Sequence, residues 1–499
     1  MGQPLKVKKE DNKLNIYRGN KFKDIKIKYI EQKELLGTAH AVSVVEDKVR
    51  DEFLVINGDL IVSSDFIDDL VKKHRAHKSS ATLSLRHVED PSGFGMVELN
   101  RQGGHIIKNI IEKPKIETSE NSKSYLVNAG VYIFNENIFK AIQRIRESES
   151  VEYDLPKAIN VLTKEEELNL VHGFVCGGMW MSIRRPWDLL DANEILLKNM
   201  NFQYLFSWDN VPGDDNDKLM IFLKDEFDID WAENAEICKS NDDTTINISK
   251  DAKSVEIFMD AKEEKATLKI SDGRTHDLKV KKEDDKLNLY KFHNKGKIED
   301  YAVVKGDVYI GENTVIKSGA YIESVDEKGN PLPCYIGSNT EVRPGSHIKG
   351  PCYIGDNCII GPNCFIRPHT SLGDWVHIGN AVDLKNSIVM SNTLIAHLAY
   401  VADSIIGEGC NLDAGTKIQN LECENLKLSK FSVITDNIRV KVMHEFVNSR
   451  RSKFGAILGD GVKTGINVSI MPGVSIYPEA WIEAGCVVRN PIYTEGENL

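Results

Sequence analysis

Residues 334–384 read CYIGSNTEVRPGSHIKGPCYIGDNCIIGPNCFIRPHTSLGDWVHIGNAVDL. An aliphatic side chain recurs at every sixth position of this stretch. A period of six fits neither the 3.6-residue period of a helix nor the alternation of a simple strand, whereas short strands joined by tight corners into a β-helix have it. The series is Ile336, Val342, Ile348, Ile354, Ile360, Ile366, Leu372, Ile378 and Leu384.

The same step continues on both sides, and a small residue such as Cys334 or Thr340 often stands two positions before the aliphatic one. Alternation along a strand places both positions inward, so stacked coils would share one continuous core. The alternative, an antiparallel sandwich, would show no fixed step. The flanking positions are Ile298, Val304, Ile310, Ile316 and Ile322, then Ile388, Leu394, Tyr400, Ile406, Leu412, Ile418, Leu458, Thr464, Ile470, Ile476, Ile482 and Val488.

The composition limits the possible classes of protein. A chain of 499 residues is too long for one ordinary core, so we expect two or three domains. The net charge of −12 argues against nucleic acid as a partner. No apolar run approaches the length of a membrane span or the core of a signal peptide, so we expect a cytoplasmic protein without a membrane partner. The nine cysteines include no CxxC pair, which favours buried thiols over a metal site.

Residues 53–88 alternate between strand and helix, with an apolar strand at 53–59, a helix at 64–77 and a strand at 81–88. This alternation predicts a largely parallel α/β sheet that binds ligands at the carboxyl ends of its strands. Asp59 stands at such an end. Six short motifs lie between residues 32 and 188: Gln32 with Gly37-Thr38-Ala39, Asn57-Gly58-Asp59, Gly93-Phe94-Gly95, Glu112-Lys113-Pro114, Val127-Asn128-Ala129-Gly130 and Arg185-Pro186-Trp187-Asp188.

These motifs, in this order, resemble those of sugar-1-phosphate nucleotidylyltransferases. The resemblance implies a Rossmann-like α/β fold that takes UTP or dTTP, with Asp59 as the ligand of Mg²⁺. Carboxylates suit Mg²⁺, and a lysine suits phosphate. The resemblance also implies that Gln32, Gly37 and Thr38 contact the base, and that Gly95, Glu112, Lys113 and Asn128 contact the sugar phosphate.

Two departures from that family affect the expected activity. No Gly-rich phosphate loop precedes Lys23, so we expect the first strand and this loop to be missing. The chain reads Ser182-Ile183-Arg184 where the family usually has Asp-Ile-Gly, and a hydroxyl is a poor substitute for a carboxylate. We therefore expect nucleotidyl transfer to be weak or absent.

Residues 5–17 (LKVKKEDNKLNIY) recur almost unchanged at 278–290 (LKVKKEDDKLNLY), which indicates a duplication. Recombination at the N-terminus and a mispredicted start both remain open. The second copy ends a β-rich segment with a hairpin across Asp272-Gly273. We interpret this segment as a spacer or an interaction module.

Three segments of the β-helix depart from the plain repeat: FIRPHTSLGDWVHIGNAVDLKNS (365–387), LIAHLAYVADSIIGEGCNLDAGTKIQN (394–420) and RRSKFGAILGD (450–460). They resemble the amino-sugar-1-phosphate N-acetyltransferase half of bifunctional enzymes of the N-acetylglucosamine-1-phosphate uridylyltransferase type. The resemblance implies a left-handed β-helix, acetyl-CoA as co-substrate, and a homotrimer with sites between subunits. Residues 421–449 break the six-residue step and would form a protruding arm.

Acetyl transfer to an amine needs a base, cations for the phosphate and donors for the oxyanion. His397 fits the base, and Arg367 and Lys385 fit the phosphate clamp. The resemblance implies that Tyr400, Asn411 and Asn420 contact the sugar and that Lys453 completes the phosphate site. Ala402 and Asp413 stand where that family usually has glycine.

The sequence therefore predicts four segments. They are an atypical N-terminal segment (1–22), an incomplete nucleotidyltransferase-like α/β domain (23–202), a β-rich insertion (203–292) and a left-handed β-helix acetyltransferase domain (293–491). The predicted function is acetylation of glucosamine 1-phosphate or galactosamine 1-phosphate for UDP-N-acetylhexosamine synthesis. Two alternatives remain: a fully bifunctional enzyme with a longer N-terminus, and a non-catalytic trimeric scaffold.

Overall fold

The computed structural model describes residues 28–200 and 296–489, except for 78, 90, 92, 101–103, 113–123, 149–152, 165–170, 423–426, 430–431, 435 and 443–444. It also describes eight strands and Ser271 between residues 6 and 291. The chain divides into two compact units at the bond between Asp188 and Leu189. The four segment boundaries predicted above stay predictions.

The α/β unit is built on a mixed sheet. Its helices are α1 (Thr38–Ser43), α2 (Ser64–His77), α3 (Asn137–Ser148) and α4 (Leu155–Leu162), and α5 (Asp188–Lys198) follows at the boundary between the units. The strands are Phe53–Ile56, Leu60–Val62, Ala81–Val88, Met96–Leu99, Ile107–Ile111, Tyr125–Phe134, Val171–Val175 and Trp180–Ser182. The bounds of α2 and of Ala81–Val88 confirm the predicted helix and strand.

The direction of the central strand differs from the prediction. Tyr125–Phe134 runs antiparallel to both Phe53–Ile56 and Ala81–Val88, and Ala81–Val88 pairs in parallel with Val171–Val175. The chain reaches the central strand after an antiparallel pair of strands, Met96–Leu99 and Ile107–Ile111. Antiparallel neighbours, unlike parallel ones, do not need a long helical crossover between them, and the described strands that precede this one already pair antiparallel. The prediction of a largely parallel sheet was therefore wrong here.

The second unit contains the left-handed parallel β-helix. Each turn contributes short strands to three parallel faces, called faces 1, 2 and 3 in chain order. Face 1 holds Lys297–Ile298, Val315–Ile316, Glu341–Val342, Ile359–Ile360, His377–Ile378, Leu394–Ile395, Asn411–Leu412, Lys463–Thr464 and Trp481–Ile482. Face 2 holds the first half of Val303–Ile310, then Tyr321–Ser324, His347–Lys349, Phe365–Ile366, Asp383–Lys385, Tyr400–Ala402, Lys417–Ile418, Ser469–Ile470 and Val487–Val488. Face 3 holds the second half of Val303–Ile310, then Pro333–Ile336, Cys352–Ile354, Thr370–Leu372, Ile388–Val389, Ile405–Ile406, Ala456–Leu458 and Val474–Ile476.

The six-residue step holds without a break from Ile336 to Leu384, and every aliphatic residue of that series is buried. The step then shortens to five residues at two corners between faces 2 and 3. Each of these corners is one residue shorter than the others and contains a left-handed residue, Asn386 (φ 44°) or Asp403 (φ 51°). The predicted inward positions Ile388, Leu394 and Tyr400 are therefore wrong. The buried residues are Val389, Ile395 and Val401.

The thiols of the β-helix lie in its core. Cys334, Cys352, Cys358, Cys364 and Cys410 are buried and free. Burial raises the pKa of Cys352 and of Cys358 to about 12, so both stay protonated near neutral pH. This confirms the prediction of buried, reduced thiols for these residues.

The described strands that lie outside both the β-helix and the sheet of the α/β unit form antiparallel pairs. Residues 235–291 form a six-stranded meander of Ala235–Lys239, Asp243–Lys250, Lys253–Asp260, Lys265–Ile270, Thr275–Glu283 and Lys286–Lys291. The pairing of Lys265–Ile270 with Thr275–Glu283 confirms the predicted hairpin. Both copies of the repeated segment form two paired strands, since Lys6–Glu10 pairs with Lys13–Tyr17. Two hairpins, Lys427–Ser429 with Ser432–Ile434 and Arg439–Val442 with Glu445–Asn448, interrupt the coil.

Among the described helices, none combines the length and the apolar character needed to cross a lipid bilayer.

Candidate functional site

The first candidate site is a cleft of about 760 Å³ at the corner between faces 2 and 3. Three residues predicted to bind the phosphate, Arg367, Lys385 and Lys453, line this cleft. Six cationic side chains face three carboxylates, so the cleft attracts anions. The other cations are Lys349, Arg450 and Arg451, and the acids are Asp191, Glu194 and Asp403.

The coil repeat explains why three of these cations lie together. Lys349, Arg367 and Lys385 follow one another at intervals of 18 residues, which is one full turn of the coil. Each of them directly follows a buried aliphatic residue of face 2, so its side chain points outward. Stacked turns therefore bring a column of cations to one corner, an arrangement that suits a phosphate group.

Asp403 is a buried acid behind this column, with only 2 % of its surface exposed. Its carboxylate accepts hydrogen bonds from Asn386 Nδ2 at 2.8 Å and from Asn420 Nδ2 at 2.5 Å. Lys385 Nζ lies 3.6 Å from the same carboxylate, and the Arg451 guanidinium lies 4.0 Å from it. Because a buried carboxylate is costly unless it is paired and hydrogen-bonded, this acid fixes two amides and two cations beside the cleft.

Helix α5 forms one wall of the cleft. Asn193 Nδ2 donates to the His369 carbonyl at 2.7 Å, which attaches the helix to the coil. Arg451 donates to Glu194 Oε1 at 3.0 Å and also to Asp191. Burial raises the pKa of Glu194, but the hydrogen bond and charge of Arg451 outweigh it and leave this pKa below its usual value. Burial lowers the pKa of His369, so lysine and arginine supply the positive charge of the cleft.

The outward side of face 2 carries a further group of predicted residues. Asp383 and Tyr400 are direct neighbours on adjacent strands, and Arg367 Nη1 lies 3.7 Å from Asp383 Oδ2. Burial raises the pKa of Asp383 and that of Tyr400. The Arg367–Asp383 pair is more than one-third exposed, so solvent screens it and it adds little to stability. Its effect is to orient Arg367 beside the tyrosine.

The predicted base lies at a different corner. His397 is exposed between faces 1 and 2, and its Nδ1 accepts a hydrogen bond from the Asn380 amide at 3.2 Å. A neutral imidazole in this contact carries its proton on Nε2, so the hydrogen bond to Nδ1 has to break before that nitrogen can accept a proton from an amine. Asn411 points outward from face 1. Neither His397 nor Asn411 is among the residues that line the cleft in the described part of one chain.

The two residues that replace the usual glycines differ in their surroundings. Ala402 is completely buried, although it follows the inward Val401 and pairs with Lys385 on face 2. Asp413 is half-buried, and its carboxylate accepts a hydrogen bond from the Ala414 amide at 2.7 Å.

The second candidate site is a pocket of about 180 Å³ in the α/β unit. Gln32 and Gly37 are not among its lining residues in the described part of the unit, and Gln32 Nε2 instead donates to the Gly37 carbonyl at 3.1 Å. Gly37 has a left-handed φ of 102°, and a Cβ there would collide with the Tyr153 carbonyl. Lys113 lies outside the described residues. The predicted residues that do line the pocket are Thr38, Asp59, Gly95, Glu112 and Asn128.

Polar groups of this pocket already have protein partners. Ser182 Oγ donates to Asp59 Oδ2 at 3.3 Å. Asn128 Nδ2 donates to the Tyr132 hydroxyl at 2.7 Å, and burial raises the pKa of Tyr132 to about 12. The Arg184 guanidinium carbon lies 4.3 Å from the centre of the Phe94 ring, at the pocket wall. No group of three or more His, Cys, Asp or Glu side chains among the described residues could hold a metal ion.

Comparisons with known proteins cover both candidate sites. The family model "Nucleotidyl transferase" matches residues 6–199, and the model "GMPPB C-terminal domain" matches residues 348–451. The bifunctional protein GlmU of Methanococcus aeolicus is 32% identical over 95% of this chain and 81% of its own length. The chain belongs to the bifunctional GlmU family.

Other GlmU-type proteins match at similar levels. GlmU of Methanocaldococcus jannaschii is 32% identical over 94% of this chain and 79% of its own length. The bifunctional sugar-1-phosphate nucleotidylyltransferase/acetyltransferase of Sulfurisphaera tokodaii is 28% identical over 95% of this chain and 83% of its own length. These matches confirm the family resemblance that was inferred from the short motifs.

Several residues of the GlmU-family cleft were not found from the sequence. Asn386 and Asp403 lie at the two shortened corners. At each corner, consecutive buried aliphatic residues are five positions apart instead of six. That irregularity was a usable signal. Arg451, Asp191 and Glu194 meet through the tertiary fold, and no local sequence pattern indicates their contact.

Proposed function

We propose that this GlmU-family chain transfers an acetyl group from acetyl-CoA to the amino group of an amino-sugar 1-phosphate. The observation that carries this proposal is the column of cations at the corner between faces 2 and 3, with Arg367, Lys385 and Lys453 lining one cleft. A sugar 1-phosphate supplies the complementary dianion. Glucosamine 1-phosphate and galactosamine 1-phosphate both carry the required phosphate and amine, so both belong to the proposed substrate class.

The proposed reaction needs a proton acceptor and an anchored phosphate. The amine nitrogen attacks the thioester carbonyl, so that a C–N bond forms and the C–S bond of acetyl-CoA breaks. His397 accepts the proton released by the nitrogen and returns it to the departing thiolate, which leaves as coenzyme A. Arg367, Lys385 and Lys453 hold the phosphate, and Tyr400 and Asn420 orient the sugar. Holding the acceptor in this way converts an encounter between two solutes into a positioned attack.

We propose a homotrimer as the active form. His397 and Asn411 do not line the cleft of a single chain in the described residues, whereas the predicted phosphate ligands do. A neighbouring chain packed along the coil would complete the site by bringing a base to the cleft. The trimer accounts for the separation of the predicted residues between two corners.

The central test is release of coenzyme A from acetyl-CoA, followed with a thiol reagent and glucosamine 1-phosphate as acceptor. We expect thiol release to depend on the acceptor and to fall by about 10²-fold or more in the Arg367→Ala variant, because the phosphate loses its bidentate partner. Lys305→Ala, which removes an exposed cation of the first coil, is the control and should leave the rate unchanged. Wild-type protein that assembles but releases no thiol would contradict the proposal and favour the non-catalytic scaffold.

We propose that nucleotidyl transfer is weak in this chain. Ser182 offers a hydroxyl where a carboxylate is expected, and Arg184 lies against Phe94 at the wall of a pocket of only about 180 Å³. Ligand pockets of drug-sized molecules usually enclose about 300 Å³ or more. Asp59 fits one carboxylate ligand of Mg²⁺, because this ion commonly takes one or two carboxylates and completes its shell with water and substrate phosphate. Bound Mg²⁺ would neutralise the phosphate charge of a nucleotide.

The fully bifunctional alternative is favoured by the relatives, which are named bifunctional and one of which, from Sulfurisphaera tokodaii, is named for both activities. Pyrophosphate release from UTP or dTTP with Mg²⁺ and N-acetylglucosamine 1-phosphate distinguishes a fully bifunctional enzyme from one with weak nucleotidyl transfer. We expect it to be at least about 10³-fold slower than acetyl transfer, because charge stabilisation at the transferred phosphoryl group contributes that much in related chemistry. Ser182→Asp is the matched variant, and a rise in its pyrophosphate release would identify the missing carboxylate as one cause. Comparable rates for the two reactions of the wild type would contradict weak nucleotidyl transfer.

A further inference from the structure

We propose that helix α5 contributes to binding of the acceptor. Its Asp191 and Glu194 act as positioning residues through Arg451. The inference rests on the proposed acetyl transfer only for the identity of the acceptor. Its structural basis is a continuous set of ionic and hydrogen-bonded contacts that runs from the helix to the cation column. The helix belongs to the stretch matched by the nucleotidyl transferase model, yet its acids line the cleft of the β-helix.

Arg451 is the central residue of this set. Its side chain is only 13% exposed, and its terminal nitrogens face carboxylates on two sides. One side is Glu194, at 3.0 Å, together with Asp191, and the other is Asp403, at 4.0 Å. Because the guanidinium is turned toward acids, Arg451 supports the cleft and does not itself present a free cation to the phosphate. A planar guanidinium offers five donors in a fixed fork for these acids, whereas an ammonium is a compact point charge without that geometry.

Asp403 connects Arg451 to residues that would contact the acceptor. The same carboxylate holds Asn420 and Asn386 by hydrogen bonds and Lys385 at 3.6 Å. Glu194 also belongs to this set of contacts, since it accepts a hydrogen bond from Asn386 Nδ2 at 3.1 Å. Neutralising the helix acids would leave Arg451 to pair with Asp403 alone. The guanidinium would then compete with Lys385 and Asn420 for the carboxylate and displace Lys385 from its position in the cleft.

The alternative effect of the two helix acids is simple repulsion of the phosphate. Repulsion predicts that their removal tightens binding of the acceptor, whereas the positioning role predicts that it weakens binding. The two mechanisms therefore differ in the sign of one measurable quantity. The geometry favours positioning, because Asp191 and Glu194 are both paired with Arg451.

The test measures the Kd of glucosamine 1-phosphate by titration calorimetry, without acetyl-CoA, on the full chain. We expect the Asp191→Asn/Glu194→Gln double variant and the Arg451→Lys variant each to raise Kd by about tenfold. Adding the helix substitutions to Arg451→Lys should change Kd by less than about twofold, because both act through one guanidinium. Glu299→Gln is the matched control. It removes a carboxylate with 27% exposure from another ion pair, compared with 26% for Glu194, and should leave Kd unchanged.

The outcomes separate the inference from the proposed function. A lower Kd in the helix variant, additive effects, or no acceptor binding by the wild type would each overturn the positioning role. Weakened binding in the variants without thiol release by the wild type would overturn acetyl transfer and leave the positioning role intact. A change in the KM for acetyl-CoA as large as the change in acceptor Kd would mark a general loss of structure and also contradict the inference.

Discussion

Acetyl transfer by the His397→Ala variant is expected to be about 10²- to 10⁴-fold slower than by the wild type, because the attacking amine loses the group that accepts its proton. The loss should appear in kcat, with the affinity for glucosamine 1-phosphate within about twofold of the wild-type value. A lower kcat with little change in acceptor affinity follows from the geometry, since His397 lies outside the cleft that holds the phosphate-binding cations of the same chain. Steady-state thiol release and calorimetry measure the two quantities separately.

The control for this substitution is His105→Ala, which removes another exposed imidazole from the α/β unit. It should leave both kcat and acceptor affinity unchanged. The His397→Gln variant offers a second comparison, because its amide can still accept a hydrogen bond from the Asn380 amide but cannot take up a proton. Activity of His397→Ala within about threefold of the wild type would show that a different residue is the base.

The behaviour of His397 also bears on assembly. Its Nδ1 accepts a hydrogen bond from a backbone amide, so this contact has to break before Nδ1 can accept a proton. If a neighbouring chain completes the site, the activity of His397→Ala should be partly restored when it is mixed with an Arg367→Ala variant under conditions that allow subunits to exchange. Such complementation is expected because a mixed site between two subunits can then contain one intact histidine and one intact arginine.

The six-residue period predicted the β-helix core because burial of every sixth aliphatic residue is a local consequence of one coil geometry. From Ile336 to Leu384, the buried residues are the predicted ones. The register beyond Leu384 was wrong because a corner can lose one residue without changing the character of the strands on either side. Ile388 and Val389 are both aliphatic, so composition alone could not decide which one points inward.

The candidate site was predictable to the extent that its residues follow the coil. Arg367 and Lys385 lie one turn apart, so the repeat itself stacks them. The shortened corner at Asp403 was a signal that could have drawn attention to this residue. The sequence did not identify it as the acid that holds Lys385 and Asn420. The contact between Arg451 and helix α5 depends on how distant segments pack, and the antiparallel central strand of the α/β unit depends on a connection that local patterns do not encode.

Replacing Asp403 by alanine is expected to lower the free energy of unfolding by about 3–5 kcal/mol, the usual cost of breaking a buried ion pair by removing one partner. The substitution leaves Lys385 and the 13%-exposed Arg451 without their shared carboxylate, and it removes the acceptor for the amides of Asn386 and Asn420. The midpoint of urea unfolding, followed by circular dichroism, measures the loss.

Asp403→Asn separates charge from shape in the same experiment. Asparagine keeps the size of the side chain and tolerates the left-handed φ of 51°, so the corner should retain its fold. Its amide nitrogen would face donor groups of Asn386 or Asn420, and its neutral oxygen would not balance Lys385 and Arg451. We therefore expect a smaller loss of stability than with alanine, together with a similar loss of acceptor affinity. Asp326→Ala, in an exposed turn, is the control and should cost much less stability than Asp403→Ala. A variant of Asp403 that is no less stable than this control would show that the buried acid does not organise the cleft.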